Sequence, residues 1–196
     1  MIHDHGVIDV DRKLQSDPCP SLSAVQFQTQ IIAYIVSCDP DPCESASFGP
    51  KHINEWCTSS ITDMTGAFNL AGLDHSANFN DDISDWDVSS VKNMMHMFSY
   101  SVFNQDLNAW NVSSVTSIYA IFVSALNFNQ DLRDWDLSQT EDTVGIFLDA
   151  IKFNQDLCSW VHTFQYGSRS RIFEGISYST SIEPSEGSRG HFWQCK

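Results

Sequence analysis

Positive charge is scarce in this sequence: ten Lys and Arg stand against 25 Asp and Glu, a formal net charge of −15. Nucleic acid is bound by cations that displace phosphate counterions, and no basic cluster exists here to do so. The same sign argues against an anionic membrane surface. No run of 18 apolar residues occurs, so no segment reads as a transmembrane helix. The opening residues, MIHDHGVIDVDRK, lack the apolar stretch of an export signal. GxSxG, HExxH, P-loop and GxGxxG motifs are all missing.

Aromatic residues are plentiful, with 13 Phe and six Trp, and they keep a beat. The words FNDDISDWDVSSV, FNQDLNAWNVSSV, FNQDLRDWDLSQT and FNQDLCSWVHTF begin at Phe79, Phe103, Phe128 and Phe153, in steps of 24, 25 and 25. Trp86, Trp110, Trp135 and Trp160 follow the same period, as do Phe98, Phe122, Phe147 and Phe173. A degenerate earlier unit holds Ile53, Trp56, Ile61, Met64 and Phe68, followed by an insertion around 70–77. Self-similarity at such a period is the signature of a repeat architecture.

Ile83, Trp86, Val88 and Val91 stand at positions 1, 4, 6 and 9 of their word, and the next units repeat the spacing. That is the skeleton of a leucine-rich repeat with Trp at its second site. The expected fold is therefore a repeat solenoid. Each 24–25-residue unit contributes one short parallel strand (83–88, 107–112, 132–137 and 157–161) and a turn or short helix. Met94, Met97 and Phe98 in VKNMMHMF read as core at helical spacing. Asn80, Asn104, Asn129 and Asn154 form a column suited to satisfying backbone groups of successive turns. Asp82, Asp106, Asp131 and Asp156 form a second column, read as turn capping, with calcium as the minor alternative.

These words resemble the BspA-like leucine-rich-repeat surface proteins, whose units read close to FNQDLSSWDVSSVTNMxxMF. The likeness covers roughly 48–173; the third unit departs at SQTEDTVGIF, where Thr140 replaces an inward Val, and the fourth decays after Trp160. The resemblance implies an extracellular or cell-surface array used in adhesion and protein interaction, with no catalytic residue or cofactor to carry over. Localisation is accordingly expected at the cell surface or outside the cell, with the export signal not visible in this chain.

Repeat arrays need caps, because a terminal coil exposes its core. Residues 1–20 read as a flexible segment and 21–47 as a helical cap with a Cys-rich loop. Within the cap, 21–36 is helical, with Ser21 as N-cap and Leu22, Val25, Ile32 and Ile35 on one face. The array spans 48–176 in about five units, and 177–196 form a C-terminal tail and cap. Six cysteines fit a disulfide set. A bridge between Cys158 and Cys195 would close the C-terminal end, and Cys19, Cys38, Cys43 and Cys57 allow three pairings. Cys38, Cys43, His52 and Cys57 have no common zinc-finger spacing, so no metal site is assigned.

The outward strand positions supply a candidate binding face: Glu55, Asp85, Asp87, Asn111, Asp134 and Asp136. Asn111 also heads the sequon Asn111-Val112-Ser113, a candidate glycosylation site. The expected partner is a protein or glycan at a cell surface, with self-association through the solenoid ends into a layer or filament as the alternative. Paired carboxylates such as Asp85 and Asp87 lie near glycosidase spacing, but an open face keeps both ionised, so an enzyme is the least favoured reading.

Overall fold

The computed structural model describes residues 22–37, 53–69 and 79–162. The first segment carries a helix, α1 (Ala24–Ser37). The rest is a succession of coils: coil 1 over 53–69, coil 2 over 79–102, coil 3 over 103–127, coil 4 over 128–152 and the start of coil 5 from 153. Two 3-10 turns, Ile53–Glu55 and Cys158–His162, occupy equivalent places in the first and last of these.

Neighbouring coils touch through parallel bridges joining Asp63 to Asn93, Asn93 to Ser117 and Ser117 to Asp142. The pairing therefore falls in the second half of each unit. Among the described residues no strand forms over 83–88, 107–112 or 132–137, where the tryptophan words had suggested one. The reason is local. Asp82 Oδ1 accepts the Ser84 amide at 2.9 Å, and Asp87 Oδ1 accepts the Ser89 amide at 3.0 Å. Trp86 N–H turns back onto the Ile83 carbonyl at 3.1 Å. Side chains that bond their own backbone two residues on compete with a strand ladder.

In the second half, alternate amides serve two partners. The N–H groups of Met94, His96, Phe98 and Tyr100 donate to the carbonyls of Ser117, Tyr119, Ile121 and Val123 in the next coil, at 2.7–3.0 Å. The N–H groups between them, of Met97, Ser99 and Ser101, close turns onto the residue three back. Each of coils 1 to 4 puts the residue three after its bridge in the left-handed region: Gly66, His96, Ala120 and Gly145, with φ between 54° and 67°. Only two of the four are glycine, although glycine alone adopts this conformation without steric cost.

The side chains between turns stack in register. Phe68, Phe98, Phe122 and Phe147 form a column with centroids 5.3–5.6 Å apart and planes within 6°. Trp56, Trp86 and Trp110 stack at 6.4 Å, and Trp135 lies on Trp160 at 6.3 Å. The four repeat tryptophans Trp86, Trp110, Trp135 and Trp160 are buried, as are Met94, Met97 and Phe98. Each of these four also donates its indole N–H to a carbonyl of the preceding coil: Ile53, Ile83, Leu107 and Leu132. Thr140, the odd residue of its column, donates its hydroxyl to Val115 O at 3.0 Å and stays buried.

α1 covers coil 1. Its N-cap is Ser23, not Ser21: Gln26 N–H donates to Ser23 Oγ, while Ser23 N–H donates to Gln26 Oε1, a reciprocal cap. The buried face is Phe27, Ile31, Tyr34 and Ile35, whereas Val25 is 72% exposed and Leu22 and Ile32 sit at the margin. Phe27 and Tyr34 meet Trp56 edge to face at 6.4 and 5.7 Å. Rings long enough to reach the first tryptophan, not the tally of aliphatic residues, decide which face turns inward. The expectations for 1–20, for 38–52 and for 163–196 lie outside the described residues.

Candidate interaction surface

Glu55, Asp85, Asp87, Asn111, Asp134 and Asp136 are all exposed, flanking the buried tryptophan column on its solvent side. Their hydrogen bonds sort them into two sets. Asp87, Asn111 and Asp136 each accept the amide two residues on, from Ser89, Ser113 and Ser138 at 3.0–3.2 Å. Asp85 and Asp134 instead link coils. Asn54 Nδ2 donates to Asp85 Oδ2 at 2.8 Å, and Asp85 N–H returns a bond to Asn54 Oδ1. Asn108 and Asp134 repeat the arrangement one pair of coils later.

The acidic composition has this local cause. Asp82, Asp106, Asp131 and Asp156 each accept the amide two residues on at 2.8–3.0 Å. Asp63, Asn93, Ser117 and Asp142 do the same at the bridge positions. A unit thus holds three side-chain-closed turns, and aspartate fills many of them. The hydrogen bonds from Ser84 hold the Asp82 carboxyl below its usual range, and the Ser89 hydroxyl and amide do the same for Asp87. Among the described residues no three His, Cys, Asp or Glu side chains converge, and the column raised for calcium has its Oδ1 atoms committed to turn amides.

The asparagine column is a ladder. Asn104, Asn129 and Asn154 N–H donate to Oδ1 of Asn80, Asn104 and Asn129 at 2.7–2.8 Å. Gln105, Gln130 and Gln155 Nε2 donate to the carbonyls of those same three asparagines at 2.8 Å. Beside the ladder runs an open groove of about 500 Å³, lined by Asn80, Val102, Asn104, Asn127, Asn129 and Lys152. The lining alternates the residue before each repeat Phe with the residue after it. That was a readable signal, since Val102, Asn127 and Lys152 all directly precede FN.

At the two ends sit cysteines. Cys57 and Cys158 are both disulfide-bonded, with partners outside the described residues. At the N-terminal end Tyr34 OH donates to Asp81 Oδ2 at 2.9 Å. Burial first, then the bond to Asp81, pushes the phenol up to about 12. No described helix is long and apolar enough to cross a membrane.

With this geometry in hand, the comparison with known families is decisive on one point. The family model described as "Mycoplasma protein of unknown function, DUF285" matches residues 43–160, more than half of the chain. The chain belongs to this family. The match begins in the Cys-rich segment before coil 1 and ends at Trp160, the last buried tryptophan among the described residues. DUF285 membership is consistent with a surface repeat protein and assigns no specific function. No curated protein and no solved structure matches the chain.

Proposed function

We propose that this DUF285 protein is a non-catalytic solenoid of the leucine-rich-repeat kind, displayed at a cell surface or outside the cell, where it mediates protein–protein or cell-surface interaction. The observation that carries this reading is the division of labour within each unit. Apolar side chains stack inward in columns, and the intervening positions, Glu55, Asp85, Asp87, Asn111, Asp134 and Asp136, face solvent in repeating rows. Such rows suit a partner that spans several coils. A partner with a basic face is favoured by a net charge of −15. Glycoside hydrolysis needs a carboxyl whose pKa is raised to act as acid, and among the described residues the two shifted carboxyls, Asp82 and Asp87, move the opposite way.

Binding of the labelled full chain to intact cells tests the proposal, with a quadruple variant (Asp85→Asn, Asp87→Asn, Asp134→Asn, Asp136→Asn) beside it. The expected result is cell binding that the variant weakens at least about tenfold and that salt weakens in parallel. Absence of cell binding, together with concentration-dependent filaments in sedimentation and microscopy, would replace adhesion with structural assembly.

A further inference from the structure

The groove along the asparagine ladder is a site that the acidic rows do not explain. Its chemistry differs from the rest of the surface. Because Asn80, Asn104 and Asn129 each receive a backbone N–H on Oδ1, the orientation of each side-chain amide is fixed, and Nδ2 is the atom left over. None of these three Nδ2 groups has a partner among the described residues. They form a row of preset, uncharged donors spaced by one coil, about 5 Å.

The other lining residues are Val102, Asn127 and Lys152, with Lys152 Nζ already donating to Asn127 Oδ1 at 2.6 Å. Among the described residues, Leu126 at 49% and Ile151 at 54% are two of the exposed large apolar side chains. They precede Asn127 and Lys152 directly and occupy equivalent places in coils 3 and 4. So the groove offers amide donors in a row, and exposed apolar side chains stand one residue along the chain from two of its lining residues.

We infer that this groove binds a neutral oligosaccharide, laid along the stack axis. Sugar hydroxyls accept from amide N–H groups without carrying charge, and the C–H faces of the rings pack on apolar side chains. The volume falls within the range of small-molecule sites, roughly 300–1,000 Å³. Polyanionic glycans are disfavoured, because one lysine engaged with Asn127 does not offset a net charge of −15. An extended peptide would leave its own N–H groups facing a wall of donors. The inference names a partner for the surface role proposed above, and it uses a different set of residues.

The test is calorimetric titration of the full chain with cellohexaose, chitohexaose, mannohexaose and xylohexaose, and with heparin and hyaluronan hexasaccharides as anionic controls. A double variant, Leu126→Ser with Asn127→Ala, spares the ladder and the buried core. We expect at least one neutral hexasaccharide to bind, the anionic ones not to, and the double variant to lose tenfold or more with an unchanged melting temperature. Failure of all four neutral sugars, equal binding by the variant, or binding of the anionic sugars alone overturns the inference. Cell binding that survives the double variant but not the carboxylate variant would remove the glycan site and leave the broader surface reading standing.

Discussion

Trp135 reaches back 28 residues to donate its indole N–H to Leu107 O at 2.9 Å, so one side chain both fills its own coil and fastens it to the coil before. Trp56 heads the same column among the described residues, and its Nε1 is buried without an acceptor among them. The two tryptophans hold equivalent places in their units, but Trp56 is half-buried against Phe27 and Tyr34 of α1, whereas Trp135 is fully buried. Replacing Trp135 by Phe removes one of the two donors to Leu107 O, which keeps only the Trp110 N–H at 3.1 Å, and should cost about 0.5–1.5 kcal/mol beyond the change in packing. Trp56→Phe removes an unpaired donor and costs less. Urea unfolding of both variants compares them, and a Trp56→Phe loss equal to that of Trp135→Phe would mean that the indole bonds contribute nothing.

Trp110 has a coil on each side and stacks on Trp86 at 6.4 Å with planes 4° apart. Trp110→Ala therefore opens a cavity that fraying of an end cannot relieve, and should cost about 3–5 kcal/mol. An unchanged midpoint in denaturant would contradict its place in the core.

This much was legible from sequence, because the period of the aromatic residues translates directly into columns. The ladder role of Asn80, Asn104 and Asn129 was also legible, since a polar residue repeated in register beside a buried Phe must bond to the backbone of its neighbours. The site of parallel pairing was not. Met94, Met97 and Phe98 stand three and four apart, which mimics a helix, yet the left-handed residue at His96 breaks helical geometry and turns alternate amides toward the next coil. A backbone interrupted by left-handed residues such as His96 and Tyr100 keeps no helical geometry, so periodicity alone assigns it wrongly. The groove was missed because its wall varies: Val102, Asn127 and Lys152 share a place in the unit and no chemical type.

The left-handed column gives a further prediction. At Gly145, a Cβ would meet only Leu148 Cβ at 3.8 Å, ordinary contact distance, so space is not the constraint. The φ of 67° is. Gly145→Ala should lose about 1–2 kcal/mol through the backbone alone. Thermal or urea unfolding would show it, and a neutral result would mean that the turn rearranges freely.

Two limbs of pH dependence follow from the shifted groups. Tyr34 titrates near 12 in the fold against 10.0 ordinarily, so its protonated form is favoured by folding. That contribution is complete below pH 10 and is lost as pH rises through 12. Tyr34→Phe should abolish this alkaline limb. Asp82 and Asp87 move down, so their contribution is present above the ordinary carboxylate range and is lost as pH falls below it. Unfolding midpoints measured across both ranges check the signs, and an alkaline limb retained by Tyr34→Phe would point to another group.

The last prediction concerns the C-terminal end. Cys158 starts the final 3-10 turn, with its N–H held by Asp156 Oδ1 at 2.9 Å and the flanking Leu157 and Trp160 buried. Its neighbours therefore fix the backbone, while its sulfur is committed to a disulfide with a partner outside the described residues. Of the remaining cysteines, Cys19, Cys38 and Cys43 precede coil 1 in sequence, alongside Cys57, which is itself disulfide-bonded; Cys195 alone follows coil 5. A cysteine at the far end of a stack five coils long pairs most directly with the one that follows it. We expect non-reducing peptide mapping to recover Cys158 joined to Cys195. Closing that segment is worth about 4 kcal/mol in chain entropy, so Cys158→Ser with Cys195→Ser should lower the unfolding free energy by a comparable amount. A map that joins Cys158 to Cys19, Cys38 or Cys43 would instead require the N-terminal segment to run the length of the array.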